Sequence, residues 1–167
     1  MQFAYNKCAG VARADDKDTF SFPNSRGIGL LRQDTQGETF QLSSALSEGP
    51  VLILFWATWC APCNKELNDH KVLLNLYSQK GVTVLLVSVD TQKTQSKVKP
   101  YVESKGYTWR VVLDPGGEVL KRYGGVTLPF TVLLDRQGRP VEKIRSAIRD
   151  TNALTARIEK LLKADGE

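Results

Sequence analysis

The sequence predicts a single α/β domain in which a central sheet is flanked by helices. Two apolar runs, at 51–56 and 82–89, have the length and composition of strands buried on both faces. Between them, apolar residues follow helical spacing up to Gly81. A hairpin signal then follows near the carboxyl end, with its turn at 136–138. Alternating strands and helices predict a sheet covered on both faces, and the hairpin makes that sheet mixed.

The remaining elements are predicted from shorter patterns. Residues 20–46 contain short apolar stretches with a turn at Gly37, which predicts an N-terminal β-hairpin extension. The other predicted elements are a polar helix at 97–105, a strand at 111–113, a short helix through Tyr123, hairpin strands at 130–134 and 141–144, and an amphipathic helix at 151–163. The predicted folded domain is therefore 20–163, and 1–19 is a flexible tail or the remnant of a leader.

Composition and charge are those of an ordinary globular domain. The 167 residues are 41% hydrophobic and 25% charged, as is usual for such domains. No run approaches the ~18 consecutive apolar residues of a membrane-spanning helix, so we expect no membrane insertion. The net charge of +5 comes from scattered bases rather than a dense stripe, so we expect no nucleic-acid partner.

The first eighteen residues have no periodic apolar pattern. Residues 12–14, Ala-Arg-Ala before an acidic pair, have the A-x-A form of a signal-peptidase site, but no long apolar region precedes them. A truncated leader, cleaved near residue 14, and a plain disordered tail therefore both stay open. The first predicts a periplasmic or otherwise extracytoplasmic protein, and a cytoplasmic protein is the alternative. Cys8 follows a lysine, which a lipoprotein cleavage box would not offer, so we expect no lipid anchor.

The segment Trp59-Cys60-Ala61-Pro62-Cys63 lies between a predicted buried strand and a predicted helix. At a helix N-terminus, unpaired N–H groups and the helix dipole stabilise a thiolate, which lowers the pKa of Cys60 from the free value of about 8.5. Cys63, one turn later, is predicted to be less exposed and to resolve the mixed disulfide that Cys60 forms. Pro62 suits the first helical turn. Trp59 is either an apolar contact surface or a core residue.

This pair predicts thiol–disulfide exchange with disulfide-containing proteins. Such exchange needs no cofactor, but it needs a thiol electron donor, which the sequence does not identify. A peroxiredoxin-like peroxidase would use a lone low-pKa cysteine, whereas Cys60 has a partner three residues later. A non-catalytic binding module would not need both cysteines.

A structural zinc site is the other interpretation of two cysteines at this spacing. It would need two further ligands, and only Cys8 and His70 remain. His70 follows Cys63 by roughly 10 Å along the same predicted helix, too far to share one ion. We therefore predict no metal.

Residues 55–63, Phe-Trp-Ala-Thr-Trp-Cys-Ala-Pro-Cys, with Glu66 after them, resemble the active site of extracytoplasmic thioredoxin-like proteins of the TlpA/ResA type, which include the cytochrome c maturation reductases. Further matching segments are 84–90, 112–114, 123–130 and 133–138. The resemblance covers roughly 20–162. It implies a thioredoxin fold and a protein thiol–disulfide oxidoreductase that acts as a reductant in extracytoplasmic redox homeostasis. We expect a monomer.

The resemblance also implies where a protein substrate binds. The peptide bond before Pro129 is implied to be cis, and Pro129 to face the cysteine pair. The backbone beside Leu128 is implied to pair with an extended substrate segment. The implied substrate-binding residues are Trp59, Ala61, Pro62, Thr127, Leu128 and Pro129.

Three positions depart from the related sequences. Leu54 stands where ordinary thioredoxins have a buried aspartate, so a proton relay must come from elsewhere. Glu66 on the active-site helix and Asp90 at a strand end are the candidates, although each could be a surface charge. Asn68 stands where many relatives have a helix-kinking proline, which predicts a straighter helix. Phe130 replaces a threonine, which leaves partner specificity open.

Overall fold

The computed structural model describes residues 31–164. The predictions that fall on residues 1–30, namely the tail or leader, Cys8 and the start of the hairpin extension, lie outside the described residues. Within the described range, no helix is both long and apolar enough to cross a bilayer.

The described chain alternates strands and helices around one five-stranded sheet. Its elements are β1 (Leu31–Gln33), β2 (Thr39–Gln41), α1 (Leu42–Glu48), β3 (Val51–Trp56), α2 (Ala61–Asp69), α3 (Lys71–Gln79), β4 (Thr83–Ser88), α4 (Val98–Lys105), β5 (Arg110–Leu113), α5 (Glu118–Arg122), β6 (Phe130–Leu134), β7 (Pro140–Ile144) and α6 (Thr151–Ala164). The sheet order is β5-β4-β3-β6-β7. Strands β3, β4 and β5 are parallel, whereas β6 and β7 are antiparallel to their neighbours. Strands β1 and β2 form a separate antiparallel pair. The predicted mixed sheet and N-terminal hairpin are confirmed.

Strand β3 is the centre of the fold, and all six of its residues are buried. Successive side chains of a strand point to opposite faces, so β3 contributes to two cores. Leu52, Leu54 and Trp56 belong to one apolar cluster, while the alternate residues belong to the other. Because β3 is anchored on both faces, the chain that leaves its end at Trp56 starts from a fixed point.

Helix α1 was missed by the sequence analysis, which assigned residues up to Leu46 to the hairpin extension. Leu42 and Ala45 are buried in the cluster that covers one face of the sheet, and Leu46 packs against it. Their spacing is helical, but the seven-residue segment is short and otherwise polar. Tertiary packing rather than local pattern therefore determines this helix.

The helix after the cysteine pair is interrupted, contrary to the expectation based on Asn68. Helix α2 ends at Asp69 and α3 begins at Lys71, with His70 between them at φ −99° and ψ 6°. Asn68 Oδ1 accepts a 2.7 Å hydrogen bond from the Tyr107 hydroxyl, which ties the last turn of α2 to the segment after α4. A proline is only one of several causes of a helix break, so its absence was a weak basis for predicting a straight helix.

Candidate active site

Cys60 and Cys63 form a disulfide at the start of α2, with a sulfur–sulfur distance of 2.02 Å. Cys60 is the N-cap residue, and its Sγ accepts a hydrogen bond from the Cys63 N–H at 3.3 Å. Pro62 lies in the first turn of the helix. The Cys63 N–H is one of the donors that a helix leaves unpaired at its N-terminus. Cys60 therefore lies where a negatively charged sulfur would be stabilised.

The surroundings of the disulfide are apolar and unevenly exposed. Cys60 is 5% exposed and Cys63 1%, so Cys60 is the more accessible of two largely buried residues. Trp59 is 63% exposed. Ala61 and Pro62 are also exposed. The interpretation of Trp59 as a core residue is therefore wrong. The Trp59 ring is available for contact with another molecule.

The segment 124–129 reaches the same end of the sheet as the disulfide. Phe130, the first residue of β6, pairs with Phe55, so Pro129 lies level with the end of β3 from which the active-site loop departs. The Leu128–Pro129 peptide bond is cis, as the resemblance implied. Pro129 is buried, Leu128 is half-buried and Thr127 is exposed. The predicted contact residues thus lie on two segments at the same end of the sheet.

Val126 was not among the predicted contact residues, although its side chain is 86% exposed. Val126 lies two residues before Leu128, within the segment 123–130 that resembles the related sequences. This position could have identified it as a further candidate contact residue. An exposed valine in this segment extends the apolar surface around Leu128.

Glu66 is a buried carboxyl group, not a surface charge. It lies one helical turn after Cys63, and residues three apart on a helix share a face. Its Oε2 accepts a 2.6 Å hydrogen bond from the Ile148 N–H. Burial raises the pKa of Glu66 above its ordinary value of 4.5, while the Ile148 hydrogen bond and the nearby His70 oppose the rise. Leu54 is buried, and its hydrocarbon side chain has no ionisable group to offer the cysteines.

Glu66→Gln is expected to make the protein more stable than wild type at neutral pH. A carboxyl group whose pKa is raised on folding contributes stability that is present below its unfolded pKa and is lost as the pH rises through the folded pKa. Glutamine cannot ionise but can still accept the Ile148 hydrogen bond. Urea denaturation from about pH 4 to about pH 8 should show wild type losing stability relative to the variant as the pH rises.

The control for this prediction is Glu103→Gln, which removes an exposed carboxylate on α4. The stability difference between this control and wild type should change little over the same pH range. A Glu66→Gln difference that is independent of pH would show that burial does not raise the pKa of Glu66.

Asp90 is also buried, at 1% exposure, two residues beyond the end of β4. Its carboxylate accepts hydrogen bonds from the Thr58 N–H at 2.8 Å and the Thr58 hydroxyl at 2.6 Å. It also accepts one from the Ser88 hydroxyl at 2.9 Å. Asp90 is therefore in direct contact with the loop that leads to Cys60, whereas Glu66 lies on the helix that follows it.

His70 lies at the break between α2 and α3, seven residues after Cys63 in the sequence. Within residues 31–164, no three His, Cys, Asp or Glu side chains are grouped so that they could hold a metal ion.

The fold and the site together define a thioredoxin-like protein with a disulfide-bonded cysteine pair at a helix N-terminus. A solved thiol:disulfide interchange protein from a Bacteroides species superimposes with a TM-score of 0.66 and 25% identity, over 81% of this chain and 93% of that chain. Residues 20–143 match the AhpC/TSA family, and the chain belongs to this family.

Two relatives bear the name thiol-disulfide oxidoreductase ResA, which confirms the resemblance found in the sequence. The protein of Bacillus thuringiensis subsp. konkukian is 34% identical over 112 residues, which are 67% of this chain and 63% of that protein. The protein of Geobacillus thermodenitrificans is 35% identical over 115 residues, 69% of this chain and 64% of that protein. The similarity thus spans less than two thirds of the length of these relatives.

Proposed function

We propose that this protein is a thiol–disulfide oxidoreductase that exchanges disulfides with partner proteins through Cys60 and Cys63, running as a reductant. The observation that carries the proposal is the Cys60–Cys63 disulfide at the N-terminus of α2, where the Cys63 N–H points at Cys60 Sγ. The relatives named thiol-disulfide oxidoreductase ResA support the same chemistry.

The reaction starts from the reduced pair. The Cys60 thiolate attacks one sulfur of a partner disulfide, and the other partner sulfur leaves as a thiolate. Cys63 then loses its proton and attacks Cys60 Sγ, so that the second partner sulfur leaves and the Cys60–Cys63 disulfide forms. Two electrons have passed to the partner, which is released as a dithiol. A thiol donor reverses these steps on this protein and regenerates the reduced pair.

The substrate segment binds between two short segments at the end of the sheet where β3 ends and β6 begins. Trp59, Ala61 and Pro62 form one wall, and Thr127, Leu128 and Pro129 form the other. An extended peptide would pair with the backbone beside Leu128, and its cysteine would then face Cys60. Apolar side chains on both walls favour partners whose disulfide is flanked by apolar residues.

Glu66 is the proposed proton relay. It follows Cys63 by one helical turn, and its pKa is raised by burial, so it can take up a proton at a pH where an exposed carboxylate would not. We propose that it accepts the Cys63 proton during the resolving attack and returns it when the disulfide is reduced. The protein is proposed to act outside the cytoplasm as a monomer, in keeping with its resemblance to extracytoplasmic relatives.

Insulin reduction in the presence of dithiothreitol tests this function. Wild type should accelerate insulin precipitation, and Cys60→Ser should not accelerate it above the background rate. Equilibration with glutathione then gives the reduction potential, and a value near the reducing end of the range of about −270 to −120 mV supports a reductant. Peroxide consumption without a thiol partner, or equal activity of wild type and Cys60→Ser, would overturn the proposal.

A further inference from the structure

Every polar group of Thr58 is hydrogen-bonded to a residue outside its own loop. The Thr58 N–H and hydroxyl both donate to the Asp90 carboxylate, at 2.8 and 2.6 Å. The Thr58 carbonyl accepts a 3.0 Å hydrogen bond from the Asn64 side-chain amide. Thr58 is the second residue before Cys60, so these contacts hold the loop immediately before the first cysteine.

Asp90 continues the connection between β3 and β4 where their backbone pairing stops. The two strands pair in parallel as far as Trp56 and Ser88, and the Val89 N–H still donates to the Trp56 carbonyl at 2.9 Å. Beyond this point the Asp90 side chain provides the link to Thr58. The Ser88 hydroxyl donates to the Asp90 carboxylate at 2.9 Å, which fixes the side chain from the other side.

Asn64 closes the same loop from the helix. It lies in the first turns of α2, one residue after Cys63, and its amide reaches back to the carbonyl of Thr58. The Cys60 N–H also donates to the Ala57 carbonyl at 3.0 Å. Trp59 and Cys60 therefore lie between points fixed by the sheet on one side and the helix on the other.

We infer that Asp90 and Asn64 are positioning residues, which set the orientation of Cys60 and Trp59 through their hydrogen bonds to Thr58. This inference rests on the proposed function. This role of Asp90 differs from the proton relay considered from the sequence. The Asp90 carboxylate accepts hydrogen bonds from the Thr58 N–H, the Thr58 hydroxyl and the Ser88 hydroxyl, and these donors remain protonated at neutral pH. Holding Thr58 requires an acceptor in the right place, not a group that exchanges protons.

The two roles of Asp90 predict different results for Asp90→Asn. The asparagine oxygen can accept from the Thr58 N–H and the Ser88 hydroxyl, while its amide donates to the Thr58 hydroxyl, which can accept as well as donate. Positioning is then retained although the ionisable group is gone. Asp90→Ala removes both.

The first test compares these two variants in insulin reduction and in the pH dependence of Cys60 alkylation by iodoacetamide. We expect Asp90→Ala to lower kcat/KM for insulin about tenfold and to shift the alkylation profile, as the loss of several hydrogen bonds to a charged acceptor would do. Asp90→Asn should remain within about threefold of wild type. Equal losses in Asp90→Asn and Asp90→Ala would overturn the inference in favour of a proton relay.

Asp135→Ala is the matched control for loss of a buried aspartate. Asp135 accepts hydrogen bonds from the Gln137 and Arg139 N–H groups, but it follows Leu134, which pairs with the first residue of β3 at the other end of the sheet. The control should lower stability without moving the alkylation profile of Cys60. A shift of equal size in the control would mean that the Asp90→Ala effect is general destabilisation, which would also overturn the inference.

Milder variants keep the test decisive if Asp90→Ala does not fold. Thr58→Val loses only the hydroxyl contact, whereas Thr58→Ser retains it, so we expect reduced activity in the first and near wild-type activity in the second. Asn64→Leu removes the contact with the Thr58 carbonyl and should resemble Thr58→Val. Wild-type activity and alkylation in both Thr58→Val and Asn64→Leu would contradict the positioning role of Asp90 and Asn64.

Absence of insulin reduction in the wild-type protein would contradict the proposed function instead. The pH dependence of Cys60 alkylation would still test the positioning role in that case.

Discussion

The Cys63→Ser protein is expected to accumulate mixed disulfides with partner proteins and to lose catalytic turnover completely. Cys60 keeps its place at the helix N-terminus, so the first attack on a partner disulfide still occurs. A serine hydroxyl cannot carry out the second attack, and the covalent intermediate persists. Non-reducing electrophoresis after incubation with a disulfide-containing protein should show the adduct, and a reductant should release it.

The controls separate Cys60 from the other thiols. A Cys60→Ser, Cys63→Ser double variant should form no adduct through the site, and a Cys8→Ser background removes the third cysteine of the sequence. Trapping should be undiminished in that background. If Cys63→Ser gives only dimers that vanish with Cys8→Ser, Cys60 is not the attacking thiol.

The parts of the fold that the sequence predicted well are those with strong local patterns. The run at 51–56 is apolar at every position, which identifies a strand buried on both faces, and β3 has these bounds. The spacing of Cys60 and Cys63 after that strand likewise indicates the two cysteines that the structure joins in a disulfide. In both cases the information lies within a few neighbouring residues.

The roles of the buried carboxylates could not be predicted in the same way because their partners are distant in the chain. Glu66 contacts Ile148, 82 residues later, and Asp90 contacts Thr58, 32 residues earlier. An acidic residue on a helix or at a strand end looks the same in a sequence whether it is exposed or buried. Only the packing of α2 against the segment before α6, and of β4 beside β3, distinguishes these two from surface charges.

The break between α2 and α3 has a similar explanation. Asn68 does not favour a break by its local conformational preference as proline does. Its side-chain contact is with Tyr107, 39 residues later, in the segment after α4. The sequence could therefore predict a helix after the cysteine pair but not where it is interrupted.

Gly125→Ala is expected to destabilise the protein and to impair exchange with protein substrates. A Cβ atom at Gly125 would lie 2.2 Å from Leu120 Cδ1 and 2.6 Å from Phe130 Cδ1. Leu120 can rotate its side chain, but the Phe130 ring is buried and packs on Phe55 with 5.6 Å between ring centroids. The segment 124–129 must therefore move, at a cost of about 1–3 kcal/mol in the free energy of unfolding.

This movement would reach the proposed substrate groove, which lies between residues 59–62 and residues 127–129, because Pro129 directly precedes Phe130. We expect a larger loss of activity toward insulin than toward a small disulfide such as oxidised dithiothreitol, since only the protein substrate needs the backbone beside Leu128. Urea denaturation of the oxidised protein and rate measurements with the two substrates check the two effects.

Gly116→Ala is the matched control, because a Cβ there would meet no heavy atom closer than 3.6 Å, the distance to Glu118 Cγ. Its effect on the free energy of unfolding should stay within about 0.5 kcal/mol. Wild-type stability and insulin activity in Gly125→Ala alone would show that this close packing does not hold the groove.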